Sequence, residues 1–305
     1  MTRTSVAIAA TAVLALTASL GAAARSQIAF KTIAALTDEP LPAFEARDAV
    51  DIASIVRAIP DRGVEGTNDT VYAAHPAVRY QRSVVEGFGN CSNLVKGLSW
   101  ELLRDGHAFE IVYVLPVDAF LAGQGHTVLR ANLALPEGAR VGLADVAAAA
   151  VPRVGARVLD VEDISKALPA VYLDPLRPES EDWRNFYTPE YLGDAVIGRT
   201  SSAETARWFR FLDAIYIDLG LPEKLEKILY VGIGVVLGVH PPVHVEQLDM
   251  LRSRHAYLFA EMHAALWGMR IAPLVLFGCG VYWIADRLRR HNAEVDYRNL
   301  TRVAS

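Results

Sequence analysis

The stretch GHTVLRANLALPEGARVGLADV, residues 125–146, contains two apolar segments separated by a short segment with Pro and Gly. Residues 126–135 and 140–146 predict β-strands, and the four residues between them predict a hairpin turn. His126 begins the first strand, and Asp145 lies near the end of the second. The hairpin is therefore expected to bring this imidazole and this carboxylate together on adjacent strands.

A helix is predicted upstream of the hairpin, beginning at Cys91. Asn90 can cap its start, and Gly106 can end it. One face of this helix is apolar and includes Cys91 itself, together with Leu94, Val95, Leu98 and Leu102. A further strand is predicted at 108–115, so the helix is expected to pack on an antiparallel sheet.

A Cys at a helix start, followed by His and Asp on successive strands, is suited to making a thiolate. The helix N-terminus carries partial positive charge, and a nearby His126 can hold the thiol proton as an imidazolium. A carboxylate on the second imidazole nitrogen, here Asp145, would fix its orientation. The Cys91 backbone N–H is a natural oxyanion donor, and we consider Gln81 and Trp100 as side-chain donors.

Each of these residues also has an ordinary structural interpretation. Cys91 suits a small buried apolar position, and His126 at a strand start could simply bond to backbone. Asp145 could be a turn residue, and Asp160 and Asp163 compete with it for the role of orienting carboxylate. The three residues in this order favour a joint Cys-His-Asp site.

This order resembles the transglutaminase-like superfamily, whose papain-related core is a Cys-bearing helix packed on an antiparallel sheet. The segment Gly89-Asn90-Cys91-Ser92-Asn93 and residues 125–146 carry the resemblance. It implies an α+β fold with Cys91 as nucleophile, His126 as general base and acid, and Asp145 as orienting carboxylate.

Two positions depart from the family pattern. The family usually has an aromatic residue after its His and a proline after its Asp, and here Thr127 and Val146 stand in those places. These departures motivate an alternative in which the same fold is catalytically inert and serves as a binding or scaffold module of an envelope assembly.

Two apolar stretches are long enough to cross a bilayer. Residues 5–24 have no charged side chain and predict a signal peptide or an uncleaved signal anchor, and residues 266–285 predict a transmembrane helix. Arg287, Arg289 and Arg290 follow the second stretch and indicate its cytoplasmic side. The main domain is then extracytoplasmic, which means periplasmic in a bacterial envelope, and the C-terminal tail is cytoplasmic.

The apolar run at 228–239 is too short to span a bilayer and predicts a core or membrane-edge segment. The predicted organisation is a signal peptide or anchor at 1–25, a transglutaminase-like domain at 26–200, a helical and partly membrane-proximal extension at 201–263, a transmembrane helix at 264–286 and a cytoplasmic tail at 287–305.

Composition excludes some classes of function. The formal net charge of −5 gives no electrostatic basis for binding nucleic acid. Of the two cysteines, Cys279 lies in the predicted span, so Cys91 has no disulfide partner in its own domain. His240 and His244 are four residues apart, but the prolines at 241 and 242 argue against a helical metal site. We expect no metal and no cofactor.

We therefore expect a membrane-anchored, extracytoplasmic cysteine-dependent amide hydrolase or acyl-transferase. Bacterial members of the resembled superfamily are often proteases or peptidases, which favours hydrolysis. The expected substrate is a protein or peptide of the cell envelope, and a neighbouring membrane complex is a second candidate partner. A third hypothesis is an integral membrane component in which residues 228–239 and 266–285 form the working part.

Overall fold

The computed structural model describes residues 3–60, 71–164, 170–177 and 184–303, with side chains described from residue 4 to residue 291. The sequence predicts a loop over residues 61–80, and its first part, 61–70, lies outside the described residues. The chain forms two compact units, one of residues 31–256 and one of residues 1–30 together with 257–305.

The helices and strands follow the chain in a mixed order. The helices are α1 (Arg3–Arg25), α2 (Gln27–Ala35), α3 (Ile52–Ala58), α4 (Pro76–Tyr80), α5 (Cys91–Arg104), α6 (Val161–Ile164), α7 (Pro189–Gly193), α8 (Ser202–Ile215), α9 (Glu223–Leu237), α10 (Leu248–Arg254) and α11 (Ala256–Val303). The strands are β1 (Leu36–Thr37), β2 (Phe109–Pro116), β3 (His126–Leu135), β4 (Gly138–Ala144), β5 (Ala150–Val154), β6 (Arg157–Val158), β7 (Tyr172–Pro175), β8 (Ala195–Ser201) and β9 (Val243–Val245). The described residues also form a π-helical turn, Gln81–Val85, and two 3-10 turns, Phe120–Ala122 and Arg184–Tyr187.

The larger unit is built on a six-stranded sheet with the order β1-β9-β8-β2-β3-β4. The pairs from β9 to β4 are antiparallel, and β1 runs parallel to β9. A second sheet has the order β6-β5-β7. The chain is therefore mixed α+β, as expected, with an antiparallel centre formed by β8, β2, β3 and β4.

Alternation along β2 and β3 gives the large sheet two buried faces. Ile111 and Leu129 belong to the cluster that also contains Cys91, Leu94 and Leu98 of α5. Val112 and Val128, their sequence neighbours, point to the opposite face and pack with residues of α6 and α7. The apolar face predicted for the Cys91 helix is therefore the face that packs on the sheet.

The β3–β4 hairpin differs in detail from the prediction. Leu135 pairs with Gly138, so the loop has two residues rather than four. Gly138, the first residue after this loop, has a positive φ of 108°, a backbone conformation that favours glycine. Strand β4 ends at Ala144, so Asp145 follows the strand instead of lying within it. Asp145 then forms an isolated antiparallel bridge with Ala150.

Residues 147–200, for which the sequence predicts no layout, contain the small sheet, α6, α7 and β8. Between Asp145 and Ala150 the chain reverses through a run of alanines, and Ala149 is left-handed at φ 52°. Alanine tolerates this reversal inside the core because its side chain is small, although the left-handed conformation itself is unfavourable for it.

The smaller unit consists mainly of α1 and α11. Thr4–Arg25 and Ala256–His291 are long and apolar enough to cross a membrane, and only 11% and 22% of their most apolar windows are buried. Within this unit, Gly268 of α11 lies directly against Ser19 of α1, a close approach that small residues permit. The helix predicted around 266–285 extends much further in both directions, and α9 covers most of the run at 228–239.

Candidate active site

Cys91 is the first residue of α5, and its position is fixed by the preceding turn. Asn90 caps the helix, its side chain accepting from Asn93 N–H, while the Asn93 side chain accepts in return from Asn90 N–H. Gly89 has φ 97°, and a Cβ there would lie 2.7 Å from Cβ of Asn93. Only glycine fits at this position, so the turn before Cys91 is a structural requirement.

Asn93 also attaches this helix start to an upstream loop. Its buried amide donates to Val71 O at 2.9 Å and accepts from Val71 N–H at 3.3 Å. The loop containing Val71 is therefore held beside the N-terminus of α5 by a paired hydrogen bond, and it is part of the surroundings of Cys91.

His126 is the first residue of β3 and lies opposite Val114 of β2. Gly125 precedes it at φ 150°, and a Cβ there would lie 2.9 Å from the Val114 carbonyl oxygen. The strand can begin so close to β2 only because residue 125 is glycine. His126 is 1% exposed.

Asp145 is fully buried and uses both carboxylate oxygens. His126 Nε2 donates to Oδ2 at 2.5 Å, and the Tyr187 hydroxyl donates to the same oxygen at 2.8 Å. The Ala148 backbone N–H donates to Oδ1 at 2.9 Å. Because a buried carboxylate needs such partners to remain ionised, this environment is consistent with a negative charge next to the imidazole.

The Cys91 side chain interacts with the same His126 imidazole. Cys91 and His126 are hydrogen-bonded through their side chains, and the Thr127 backbone N–H donates to the Cys91 sulfur. The structure thus brings together the three residues that the sequence singles out, in the order sulfur, imidazole and carboxylate.

The electrostatics of the three groups favour charge separation. Burial opposes ionisation of the thiol, but the hydrogen bond and charge of His126 outweigh it, so the pKa of Cys91 is below that of an ordinary thiol. Burial also opposes protonation of His126, but the Asp145 carboxylate and Cys91 outweigh it and raise the pKa of His126. These opposite shifts are those of a thiolate–imidazolium pair.

A cluster of aromatic rings covers His126. Phe186 stacks on the imidazole with centroids 4.6 Å apart, and Tyr187 meets it edge-on at 6.0 Å. The Tyr191 hydroxyl donates to Val114 O at 2.8 Å and is bonded by the His126 backbone N–H. We call Phe186, Tyr187 and Tyr191 the aromatic cover, and it lies between β7 and β8 in sequence.

Burial keeps the Tyr187 phenol neutral. Burial first, and then the charge of Asp145 to which it donates, raise the pKa of Tyr187 well above the ordinary value. The hydroxyl therefore remains a hydrogen-bond donor over the whole range in which proteins are folded. No sequence pattern indicates this role, because the aromatic segment follows residues with no recognisable periodicity.

Asp160 and Asp163, the other two candidates for the orienting carboxylate, bind arginines. Asp160 forms a two-pronged pair with Arg130 at 2.7 and 2.8 Å, and Asp163 pairs with Arg157 at 3.0 Å. Both acids therefore neutralise arginines instead of orienting His126. The choice of Asp145 over these two follows from the geometry.

Gln81 and Trp100, the side-chain oxyanion donors considered from sequence, both have other contacts. Gln81 is exposed and its amide donates to Glu86 at 3.3 Å. Trp100 lies nine residues after Cys91 on α5, which is about 13.5 Å along the helix axis, and it packs against Tyr80. Gln81 is therefore bonded at the surface and Trp100 lies far along the helix, so the structure gives neither suggestion support.

The histidines at 240 and 244 have separate roles. His244 Nε2 lies 2.7 Å from Glu204 Oε1 and its Nδ1 lies 2.7 Å from Glu39 O, whereas the His240 ring packs on Trp208 at 5.2 Å. Within residues 3–60, 71–164, 170–177 and 184–303, no group of three or more His, Cys, Asp or Glu side chains is arranged to hold a metal ion.

Comparisons with protein-family models, with curated proteins and with solved structures give no significant match to this chain. The functional argument therefore depends on the geometry of the site itself.

Proposed function

We propose that this protein is a membrane-anchored cysteine-dependent amide hydrolase or acyl-transferase of the transglutaminase-like type. The observation that carries the proposal is that one imidazole, His126, is bonded to the Cys91 thiol on one side and to the Asp145 carboxylate on the other. A lowered thiol pKa beside a raised imidazole pKa is the arrangement that a cysteine nucleophile requires.

In the first half of the reaction, the Cys91 thiolate attacks a carboxamide carbon and forms a C–S bond. The carbonyl oxygen takes up negative charge, and the Cys91 N–H at the start of α5 is available to stabilise it, because the first N–H groups of a helix have no intrahelical partner. The intermediate collapses when His126 gives its proton to the nitrogen. The C–N bond breaks, an amine leaves, and a thioester remains on Cys91.

In the second half, water or a second amine attacks the thioester carbon. His126, now neutral, takes the proton of the attacking group, and the C–S bond breaks to restore the thiolate. Asp145 stays ionised throughout and stabilises the imidazolium in each half. Water as acceptor gives hydrolysis, which we favour, and an amine gives transfer.

The test uses the two cysteines as a matched pair. Full-length protein in detergent is offered a library of envelope-type peptides with Gln or Asn side chains, and intact-mass spectrometry detects a covalent acyl adduct. We expect an adduct and product release in the wild type and in Cys279→Ser, and neither in Cys91→Ser. Equal turnover in Cys91→Ser would refute the proposal.

A second candidate is a catalytically inert binding module. The observation favouring it is the depth of the site, since Cys91 is 8% exposed, His126 1% and Asp145 0%. Complete failure of native Cys91 to react with a small alkylating reagent such as iodoacetamide, with normal reaction after unfolding, would favour this candidate over the enzyme.

We also propose an arrangement in the membrane, in which α1 and α11 both span and residues 31–256 lie outside the cytoplasm. Its support is the two apolar helices, one near each end of the chain, and the arginine cluster Arg287, Arg289 and Arg290. Alkaline phosphatase fused after residue 60 should be active and the same enzyme fused after residue 303 inactive. The reverse result would contradict this topology.

A further inference from the structure

Positive side chains gather beside the start of α5, although the chain as a whole is acidic. We call the group formed by Lys31 of α2, Arg79 of α4, Lys96 of α5 and Lys227 of α9 the cation cluster. Each member interacts electrostatically with at least one of the others, and no carboxylate of the described residues pairs with any of the four. Like charges without counter-charges repel, so such a group is costly unless an anion joins it.

Hydrogen bonds to the loop after residue 70 organise the cation cluster. The Arg79 guanidinium donates to Ala73 O at 2.8 Å, and Lys227 Nζ donates to Val71 O at 3.4 Å. Val71 is the residue that Asn93 attaches to the start of α5. The backbone of this loop therefore links two of the cations to the helix that carries Cys91.

Arg79 is the most deeply buried member of the cation cluster. The residue is 7% exposed, and its Nε has no hydrogen-bond partner among the described residues. Buried guanidinium nitrogens are ordinarily hydrogen-bonded, and an oxyanion is a suitable acceptor for the Arg79 Nε.

Aromatic rings support two of the lysines without neutralising them. Lys96 Nζ lies 5.3 Å from the centroid of Tyr113, and Lys227 Nζ lies 5.1 Å from that of Tyr72. A ring face attracts a cation but carries no net charge. No carboxylate of the described residues therefore compensates the positive charge of the cluster.

Burial and the neighbouring positive charges lower the pKa values of the basic groups in the cluster. Burial and then the neighbouring cations lower the pKa of Lys31 to about 7, that of Lys96 to about 8 and that of Lys227 to about 6. Burial lowers the pKa of Arg79 to about 10, and burial together with the cluster lowers that of His240 to about 3. Tyr113, whose pKa burial raises to about 12, is neutral.

The cation cluster is next to the proposed nucleophile. Lys96 lies five residues after Cys91 on α5, and the two side chains interact electrostatically. A substrate whose reacting carbonyl lies at Cys91 could therefore place a charged group a short distance away, among the four cations.

We infer that the cation cluster binds a phosphate-class anion, and that the substrate of Cys91 carries this phosphate. A phosphate monoester or diphosphate brings about two negative charges and several acceptor oxygens, which suits a group of basic side chains that no described carboxylate neutralises better than a single carboxylate does. The part concerning the substrate rests on the proposed function, whereas anion binding by the cluster does not.

The test measures binding of inorganic pyrophosphate to the full-length protein in detergent. Pyrophosphate should raise the Tm more than sodium chloride of equal ionic strength. Lys227→Gln should weaken pyrophosphate binding about tenfold, because one charge-assisted contact is lost. Lys224→Gln is the matched control, since Lys224 is exposed on the same helix and faces the same Tyr72 ring at 5.7 Å.

Proton uptake gives an independent readout. A bound anion restores the pKa values of Lys31 and Lys227, so calorimetry at pH 7 in buffers of different ionisation enthalpy should detect protons taken up on binding. Affinity should fall as the pH rises from 6 towards 8. A Tm gain equal to that in sodium chloride, or equal weakening in Lys227→Gln and Lys224→Gln, would overturn the inference.

Measurements in nanodiscs of different lipid composition distinguish two sources of the phosphate, a soluble compound and a lipid headgroup. If pyrophosphate protects equally in phosphatidylcholine and phosphatidylglycerol discs, the phosphate belongs to a soluble compound. If the rise in Tm with pyrophosphate is lost only in phosphatidylglycerol discs, the phosphate that the cluster binds belongs to a lipid headgroup. If Cys91→Ser still binds pyrophosphate but the wild type forms no acyl adduct, the anion site stands and the proposed function is refuted. If the wild type forms the adduct but pyrophosphate does not bind, the proposed function stands and the anion site is refuted.

Discussion

The Phe186 ring lies parallel to the His126 imidazole, with centroids 4.6 Å apart and an interplanar angle of 13°. A protonated imidazole over an aromatic face gains about 0.5–2 kcal/mol from the ring's negative face. Phe186 therefore helps to keep His126 in the charged form, in addition to shielding it from water.

Replacing Phe186 by Leu should lower the pKa of His126. The apolar volume is largely kept, while the attraction between ring and imidazolium is lost. Hydrogen–deuterium exchange at the imidazole carbon, followed by mass spectrometry over a pH series, measures this pKa directly. Phe211→Leu, in a different cluster next to Trp208, should leave the pKa of His126 as it is, and an unchanged value in Phe186→Leu would show that the stacking has no electrostatic effect.

Replacing Asp145 by Asn should reduce the rate of acyl-thioester formation by about 10²–10⁴-fold, since an amide cannot stabilise the imidazolium. The rate is measured with an activated ester in a stopped-flow burst experiment. The control is Asp160→Asn, which removes a carboxylate bonded to Arg130 rather than to His126. Similar losses in both variants would mean that the effect is one of folding.

Replacing Tyr187 by Phe should lower the free energy of unfolding by about 1.5–3 kcal/mol, the usual value for a hydrogen bond to a charged group. The buried phenol donates to Asp145 at 2.8 Å, and without it the carboxylate loses one of its three donors. Denaturant titration in detergent measures the change. Tyr172→Phe, at a position that is 47% exposed, should change the stability by much less.

Replacing Ala149 by Gly should stabilise the protein by about 0.5 kcal/mol. Relief of the left-handed conformation gains about 1–2 kcal/mol, and the added freedom of glycine in the unfolded chain offsets about 0.4–1 kcal/mol of it. Ala148→Gly, one residue earlier and equally buried but without a positive φ, should destabilise instead. The same denaturant titration compares the two, and a loss of stability in Ala149→Gly would contradict the strain argument.

Local patterns are sufficient to predict the elements that carry the three site residues. Cys91 follows a glycine turn and a capping Asn, and His126 starts an apolar strand, so both are predicted within a residue of the observed boundaries. The mixed α+β class follows from the same elements. The transmembrane-length helices are evident because long uncharged runs have few alternative explanations.

The surroundings of the site could not be predicted, because they depend on contacts distant in sequence. Tyr187 reaches Asp145 across 42 positions, and no periodicity marks the aromatic cover. The hairpin at 145–150 escapes prediction because a run of alanines has neither turn residues nor strand formers. The cation cluster combines residues from four helices, so it is not visible in a chain with a formal charge of −5.

The measurement that tests the central claim most directly is the pH dependence of Cys91 alkylation by iodoacetamide in the native protein. Cys279→Ser removes the second cysteine, so the modified residue is unambiguous. The thiolate is the reactive form, so a lowered pKa moves the midpoint of the rate profile below the value of about 8.5 of a free cysteine. His126→Ala, which removes the stabilising charge, should move the midpoint back up. A midpoint at or above about 8.5 in the wild type, unchanged in His126→Ala, would contradict the account.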